Sequence, residues 1–396
     1  MQRIQRDEGT QGSYHPSHQC PPRLISSTGP KHSIVQRRKR KIKKDNDDEQ
    51  EVAELSSDLL EFISKRLDVV GFCAFGVVCK SWWEVYVRSR EDFLESVAPM
   101  AVLISSHAKR SVNLYDMANG NTKKVMLRNQ FVGKFFVGCS IGYMTIEDCR
   151  NGEISLINPL SGHELNFNSP SSALQGKPLH DLIIFIPTLS FRNHSILTVC
   201  NSTHEIQFFH SRHSRWFTGR FFGHPWTDIA FFKNQIYFVT MKARLGNLTI
   251  TESGIDLNWL VVENTPDVNA QNMKLVASNN QLLMVDFVPN RHLNIHKIDF
   301  NSMGWVKQDK LGDQALFFGG NWGPSITKPG KWGGQSNCVY YLEASSSMCY
   351  IYSMEAKLIE KFSLVENPTT SKLYSEGWYY PHQCMKIDYH MDDRAM

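Results

Sequence analysis

The sequence has no apolar run long enough to cross a bilayer, and its first thirty residues lack the apolar stretch of a secretory leader, so neither a membrane span nor secretion is expected. It has no C-x-x-C pair. The nine cysteines, at 20, 73, 79, 139, 149, 200, 338, 349 and 384, are scattered and odd in number. That argues against a disulfide framework and a zinc module, and points to mostly buried thiols in a reducing compartment. Catalytic signatures are missing too. Gly330-Lys331 is followed by Trp332 rather than Ser or Thr, so there is no phosphate-binding loop. His163-Glu164 and His204-Glu205 are not completed to a zincin helix, and no G-x-S-x-G elbow occurs. The N-x-S/T triplets at Asn193, Asn201 and Asn247 have no use without secretion.

What the sequence does have is material for large cores. Of 396 residues, 41% are hydrophobic and 11% aromatic, which suits two or three folded domains. The net charge of +4 is unevenly held. Residues 1–50 carry 11 of the 43 Lys/Arg and 6 of the 39 Asp/Glu, leaving 32 against 33 in the rest. A near-neutral body has no nucleic-acid-binding face.

Residues 1–36 mix Gln, Ser, Pro, His and Gly without hydrophobic period and read as disordered. The cluster Arg37, Arg38, Lys39, Arg40, Lys41, Lys43 and Lys44 follows, and then Asp45, Asp47, Asp48, Glu49 and Glu51. Seven cations in eight residues must stay solvated and suit the acidic groove of a nuclear import receptor. Localisation in the nucleus, shared with the cytoplasm, is the expectation.

Order is expected from Leu55. Ser56, Ser57 and Asp58 offer helix-capping oxygens, and Leu59, Leu60, Ile63 and Leu67 recur at helical spacing. After a break near 68–71, Phe72, Phe75, Cys79, Trp82 and Tyr86 step by three and four, which places Cys79 on a buried helical face. Two or three short helices over 51–92 cannot close a core alone. Leu55, Asp58-Leu59-Leu60, Ile63, Arg66-Leu67, Phe75 and Val78-Cys79-Lys80-Ser81-Trp82 together resemble an F-box. The resemblance implies docking on a Skp-type adaptor, and through it a cullin, by Leu55, Leu59, Leu60, Ile63, Leu67, Val78, Cys79 and Trp82. Ser56 and Asp68 stand where the family usually has Pro, and Gly76 and Trp83 where it has Arg.

From about residue 97 to 390 the period changes to short β-type runs between Gly, Asn, Asp and Ser. Examples are Met100–Ile104, Val112–Tyr115, Ile154–Ile157, Leu182–Ile186, Ile196–Val199, Ile206–Phe209, Ile229–Phe232, Ile236–Val239, Leu282–Val285 and Val339–Leu342. A strand–turn–strand unit restarts near Met100, Ile141, His194, Gln235, Gln281 and Cys338, at spacings of roughly 41 to 57 residues. Several units close on Trp216, Trp259 or Trp305. Such a period suits propeller blades, six or seven of them, with a pair of β-sandwiches as the alternative. The run Glu153–Gly162, with its Asn158-Pro159-Leu160-Ser161-Gly162 turn, resembles a strand and turn found throughout plant F-box proteins. The order Asn294–Phe300, Trp305-Val306, Leu311–Gly319, Ser336–Leu342 and Tyr350–Glu355 is similar to the KIB-type domain of plant F-box proteins, a degenerate β-propeller. The fold class expected is α+β multidomain: a short helical F-box followed by an all-β propeller-like domain.

Two clusters remain. His204, His210, His213 and His224, interleaved with Arg212, Arg215 and Trp216, form a blade edge or a binding surface. Strand geometry puts His210 and His213 on opposite faces, which disfavours a metal site. Trp322 and Trp332 lie among glycines and either wedge between blades or, with Arg215 and Trp216, are candidate target-binding loop residues. No catalytic, cofactor or metal residue set is expected. The function implied is a non-enzymatic substrate receptor of a Skp–cullin–F-box ubiquitin ligase holding an unknown target on the propeller. The alternative is a nuclear scaffold uncoupled from a cullin.

Overall fold

In a computed structural model the chain is described over residues 55–105, 111–127, 134–169, 180–187, 194–211, 214–221, 225–251, 254–267, 273–277, 281–288, 292–319, 325–343, 345–366 and 372–384. The tail and its basic cluster at 37–44 lie outside these residues. Helices and propeller belong to one compact unit, Leu55–Met396.

Three helices come first: α1 (Ser57–Ser64), α2 (Val69–Phe75) and α3 (Lys80–Ser96). Ser56 caps α1 by accepting a hydrogen bond from the Leu59 amide, and Asp68 caps α2 from the Gly71 amide at 2.7 Å. Helix α3 continues past residue 92 because Phe93 stacks on Phe72 at 3.9 Å.

Six sheets follow in a ring. Blade one holds β1 (Met100–Ser105), β2 (Ser111–Asp116) and β3 (Thr122–Met126). Blade two holds β4 (Lys134–Ser140), β5 (Tyr143–Asp148), β6 (Glu153–Ile157) and β7 (Glu164–Asn168). Blade three holds β8 (Leu182–Pro187), β9 (His194–Cys200), β10 (Glu205–His210) and β11 (Arg215–Arg220). Blade four holds β12 (Trp226–Phe232), β13 (Gln235–Thr240), β14 (Leu245–Thr251) and β15 (Gly254–Trp259). Blade five holds β16 (Met273–Ala277), β17 (Leu282–Val288), β18 (His292–Asp299) and β19 (Gly304–Lys307). Blade six holds β20 (Ala315–Gly319), β21 (Ser325–Thr327), β22 (Cys338–Leu342), β23 (Met348–Ser353) and β24 (Ile359–Ser363). The last strand, β25 (Leu373–Tyr379), returns to pair with β1 as the fourth strand of blade one, so first and last parts of the propeller share a sheet. That closure leaves no open end to the ring.

All ten expected strand runs are strands, and the restarts read from the sequence mark the second strand outward in blades one to five, β1, β5, β9, β13 and β17, and the third, β22, in the five-stranded blade six. The blade count is six. Each of six hydrophobic clusters lies between consecutive blades. Ile206, Phe208 and Phe238 fill the gap between blades three and four, and Ala101, Phe317 and Trp378 the gap between six and one. Facing sheets therefore bury each other, which is why both strand faces are apolar.

Blade six is irregular. β20 pairs with β21 antiparallel but with β22 in parallel, and the chain leaves β20 at Gly319. There φ is +101°, and a Cβ would stand within 2.2 Å of the Leu342 carbonyl oxygen, so only glycine fits. Trp378 of the closing strand donates its indole N–H to the Phe318 carbonyl at 2.9 Å, which ties β25 to this blade.

Candidate functional site

The three helices share two small cores. Leu60, Phe75 and Val85 form one with Ile63, Leu67, Trp82 and Tyr86 against them. Val69, Phe72 and Phe93 form the other. This divides the residues expected to bind the adaptor. Leu60 is 1% exposed and internal, Ile63 and Leu67 are half-buried in the same core, and Trp82 packs on Phe75 at 4.5 Å. Leu55, Leu59, Val78 and Cys79 are exposed. Cys79 stands at the N-cap position of α3, without a side-chain capping hydrogen bond, rather than on a buried helical face, because the chain breaks at 76–79 and restarts the helix at Lys80.

The exposed set is larger than the sequence suggested. Phe62, Val70, Val77, Trp83 and Val87 are all at least 42% exposed. Leu59 and Phe62 are the exposed apolar residues of α1, with the exposed Leu55 before the helix and Arg66 after it, the Arg66 guanidinium 3.4 Å from the Phe62 ring centroid. Helix α2 has no charged residue. It buries Val69, Phe72 and Phe75 and leaves Val70, Cys73 and Ala74 exposed, a stripe that runs on into Val77 and Val78. A helix apolar on all sides with one side uncovered is a surface suited to a partner.

The positions that depart from the family pattern each have a local partner. Ser56 and Asp68 are helix caps. Gly76 lies under the Tyr86 ring, where a Cβ would stand 2.8 Å from Cγ. Tyr86 in turn packs on Phe72 at 4.9 Å and Trp83 at 5.2 Å. The ring occupies the space an arginine stem would take.

The helical module also has a fixed seat on the propeller. Leu160 packs against both the Val69–Phe72–Phe93 core and the core between blades one and two. Its turn is held by the fully buried Asn158, whose Oδ1 accepts from the Leu160 and Ser161 amides at 2.9 and 3.1 Å and from the Tyr379 hydroxyl at 3.5 Å. Lys328 and Lys331, flanking and ending a 3₁₀ turn of blade six, reach Glu95 and Asp92 of α3 at 3.6 and 3.9 Å. These exposed pairs add little energy by themselves and mainly set register.

On the propeller, Arg215 and Trp216 lie on the outermost strand β11, not on a loop. Trp216 is half-buried against Phe209 at 5.3 Å, between blades two and three. Trp332, in a turn, is half-buried near Phe317 and Tyr340, at 6.1 and 6.2 Å. Trp322, Arg212, His213 and His224 lie outside the described residues. His204 sits at φ +55° with its ring edge on Phe221, and His210 ends β10.

One buried constellation was invisible in the sequence. Glu147 of β5 and Ser169, just after β7, come from blade two, and His180 and Gln207 of β10 from blade three. His180 Nδ1 lies 3.0 Å from Glu147 Oε1, and its backbone N–H donates to Glu147 Oε2 at 3.3 Å. Ser169 Oγ lies 3.4 Å from His180 Nε2 and donates to Gln207 Oε1 at 3.1 Å. The order serine, histidine, carboxylate is that of an acyl-transfer triad, but the serine proton is held by Gln207 and the histidine and glutamate are sealed between blades. The network satisfies buried polar groups across a blade junction. Elsewhere, burial pushes the Cys349 and Cys139 thiols well up and the Tyr340 phenol to about 12. Glu376, the extra residue at a bulge in β25, is raised by burial to about 7.

Residues 114–370 match the family model described as the KIB1-4 beta-propeller. No curated protein matches the chain. Similar solved structures include the β-propeller domain of Cps50 (Swd1) from Myceliophteria thermophila, at 11% identity and TM-score 0.33, covering 65% of this chain and 78% of that one. Virginiamycin B lyase from Staphylococcus aureus is similar at 14% identity and TM-score 0.35, covering 67% and 80%. A nidogen/laminin complex chain is similar at 9% identity and TM-score 0.35, covering 72% and 95%. At such scores these likenesses carry no functional inference.

Proposed function

The chain belongs to the KIB1-4 β-propeller family, and from that premise we propose that it is a non-catalytic substrate receptor of a Skp–cullin–F-box ubiquitin ligase. A β-propeller supports a protein-interaction role. The observation that carries the finer reading is the uncovered apolar surface of the three helices: Leu55, Leu59, Phe62, Val70, Val77 and Val78, beside a sequence with F-box character. A Skp-type adaptor is the partner proposed for that surface, and a cullin joins through it. The propeller then holds a target protein near a recruited ubiquitin-conjugating enzyme and acts by proximity, raising the local concentration of target lysines. The cluster at 37–44 directs the chain to the nucleus in this reading.

The test is co-expression with a Skp adaptor, followed by size exclusion and a salt wash. A stable one-to-one complex is expected, lost in a Leu59→Asp/Phe62→Asp/Val78→Asp variant that keeps its propeller. Leu60 is left intact because its replacement breaks the helical core itself. A folded chain that ignores the adaptor overturns the reading, and a scaffold without ligase coupling takes its place.

A further inference from the structure

The outer rim between blades three and four carries a surface that adaptor docking does not use. Across β10 and β11, Phe208 pairs with Phe217 and Ile206 with Gly219, so Arg215, Phe217 and Gly219 share the side turned toward blade four. Across β14 and β15, Ile250 pairs with Ile255, Leu248 with Leu257 and Gly246 with Trp259. That puts Ile255, Leu257 and Trp259 on the side turned back toward blade three. The two outermost strands meet at Gly219, where a Cβ would stand 3.7 Å from Ile255 Cβ.

The seam is apolar but not closed over. Phe217, Ile250, Ile255 and Leu257 pack on the inter-blade core while staying partly exposed, and Trp259 is 42% exposed. An arginine stands at each end. The Arg215 guanidinium is 5.3 Å from the Phe217 ring centroid, and that of Arg244 is 4.5 Å from the Trp259 centroid. Both arginines are exposed, and neither has an acidic partner among the described residues. Corresponding strands of consecutive blades run the same way, so 215–219 and 255–259 follow each other along roughly 25 Å at the usual strand rise.

We propose that this seam docks an extended acidic segment of a partner protein, about eight residues long at that rise. Its apolar side chains lie on Phe217, Ile255 and Leu257, and its carboxylates reach Arg215 and Arg244. The proposal rests on the receptor reading and names the chemistry of its target. The charge argument is direct: each guanidinium lies beside an aromatic ring, is exposed and has no acidic partner among the described residues, an arrangement that takes a carboxylate and repels a cation. Arginine and aromatic side chains around an apolar centre are also the composition of interface hot spots.

The experiment is selection of a random twelve-residue peptide library against the full chain, then anisotropy with the best synthetic peptide. Acidic residues flanking apolar ones are expected among the selected peptides. Affinity should fall about tenfold or more in Arg215→Glu and in Arg244→Glu, fall with added salt, and hold in Lys361→Glu on the blade-six rim. Arg215→Gln and Arg244→Gln serve if a charge reversal melts early. Selected peptides without acidic residues, or equal binding to the arginine variants, overturn the proposal. A chain that binds acidic peptides here but no adaptor keeps the seam and loses the ligase reading. One that binds adaptor and selects no acidic peptide does the reverse.

Discussion

Gly76 offers the sharpest test of how this helical module is built. An alanine there puts its Cβ 2.8 Å from Cγ, 2.9 Å from Cδ2 and 3.2 Å from Cδ1 of Tyr86, against an optimum for carbon pairs of about 3.5–4.0 Å. The ring must retreat by up to about 1 Å, yet Phe72 and Trp83 stack on it at 4.9 and 5.2 Å. Overpacking of this kind costs about 1–3 kcal/mol. The backbone gives some back: φ at Gly76 is −66°, open to any residue, so Gly→Ala recovers about 0.4–1 kcal/mol through the unfolded chain. Gly76→Ala should therefore destabilise by about 1–2 kcal/mol. In a Tyr86→Ala background the clash is gone, and the same change should be neutral or stabilising. Urea denaturation followed at a helix-sensitive wavelength reads all four members of the cycle. An equal cost in both backgrounds, or a gain in the parent chain, refutes the ring contact as the reason for glycine.

Gly319→Ala should cost about 3 kcal/mol or more in propeller stability, since both the left-handed backbone and the Leu342 carbonyl stand against a side chain; an unchanged denaturation midpoint would contradict this. Glu376 has a folded pKa of about 7 against its ordinary 4.5, so folding binds its proton more tightly. Stability is then fully present below about 4.5 and is lost as pH rises through about 7, by at most about 3 kcal/mol. Glu376→Gln should remove that slope, as melting curves from pH 4 to 8 would show. His180→Ala leaves the Glu147 carboxylate buried without its imidazole and should destabilise by about 3 kcal/mol, part of it recovered by adding Glu147→Gln. Additive losses in that pair would deny the coupling.

The sequence showed most clearly those features that one strand or one helix carries alone. The second strands outward, such as Ile196–Val199, interrupted by the buried Thr198, and Ile236–Val239, are near-continuous apolar runs because sheets cover both their faces. The inner strands β4, β16 and β21 escaped notice, being short, or interrupted as at Val137 in β4, where the register slips between Phe136 and Gly138. The return of β25 to β1 pairs residues at opposite ends of the propeller, which no local period reports.

Helix faces failed for a different reason. Leu59 and Leu60 differ by about 100° around α1, and both fit an i, i+3, i+4 stripe, so spacing cannot say which one points inward. In α2 nearly every position is apolar, so no moment exists to assign a face, and its outer stripe emerged only once Phe72 had found Phe93. The absence of polarity that hid this face from sequence reading is also its physical signature: an outer surface with no charge to solvate it is stable in water only at a cost that a partner removes. The rim seam was hidden differently. Arg215 and Arg244 are 29 residues apart, and their shared role rests on two blades meeting at Gly219, a fact of packing and not of pattern. Binding surfaces built across blades are thus legible only after the ring has closed.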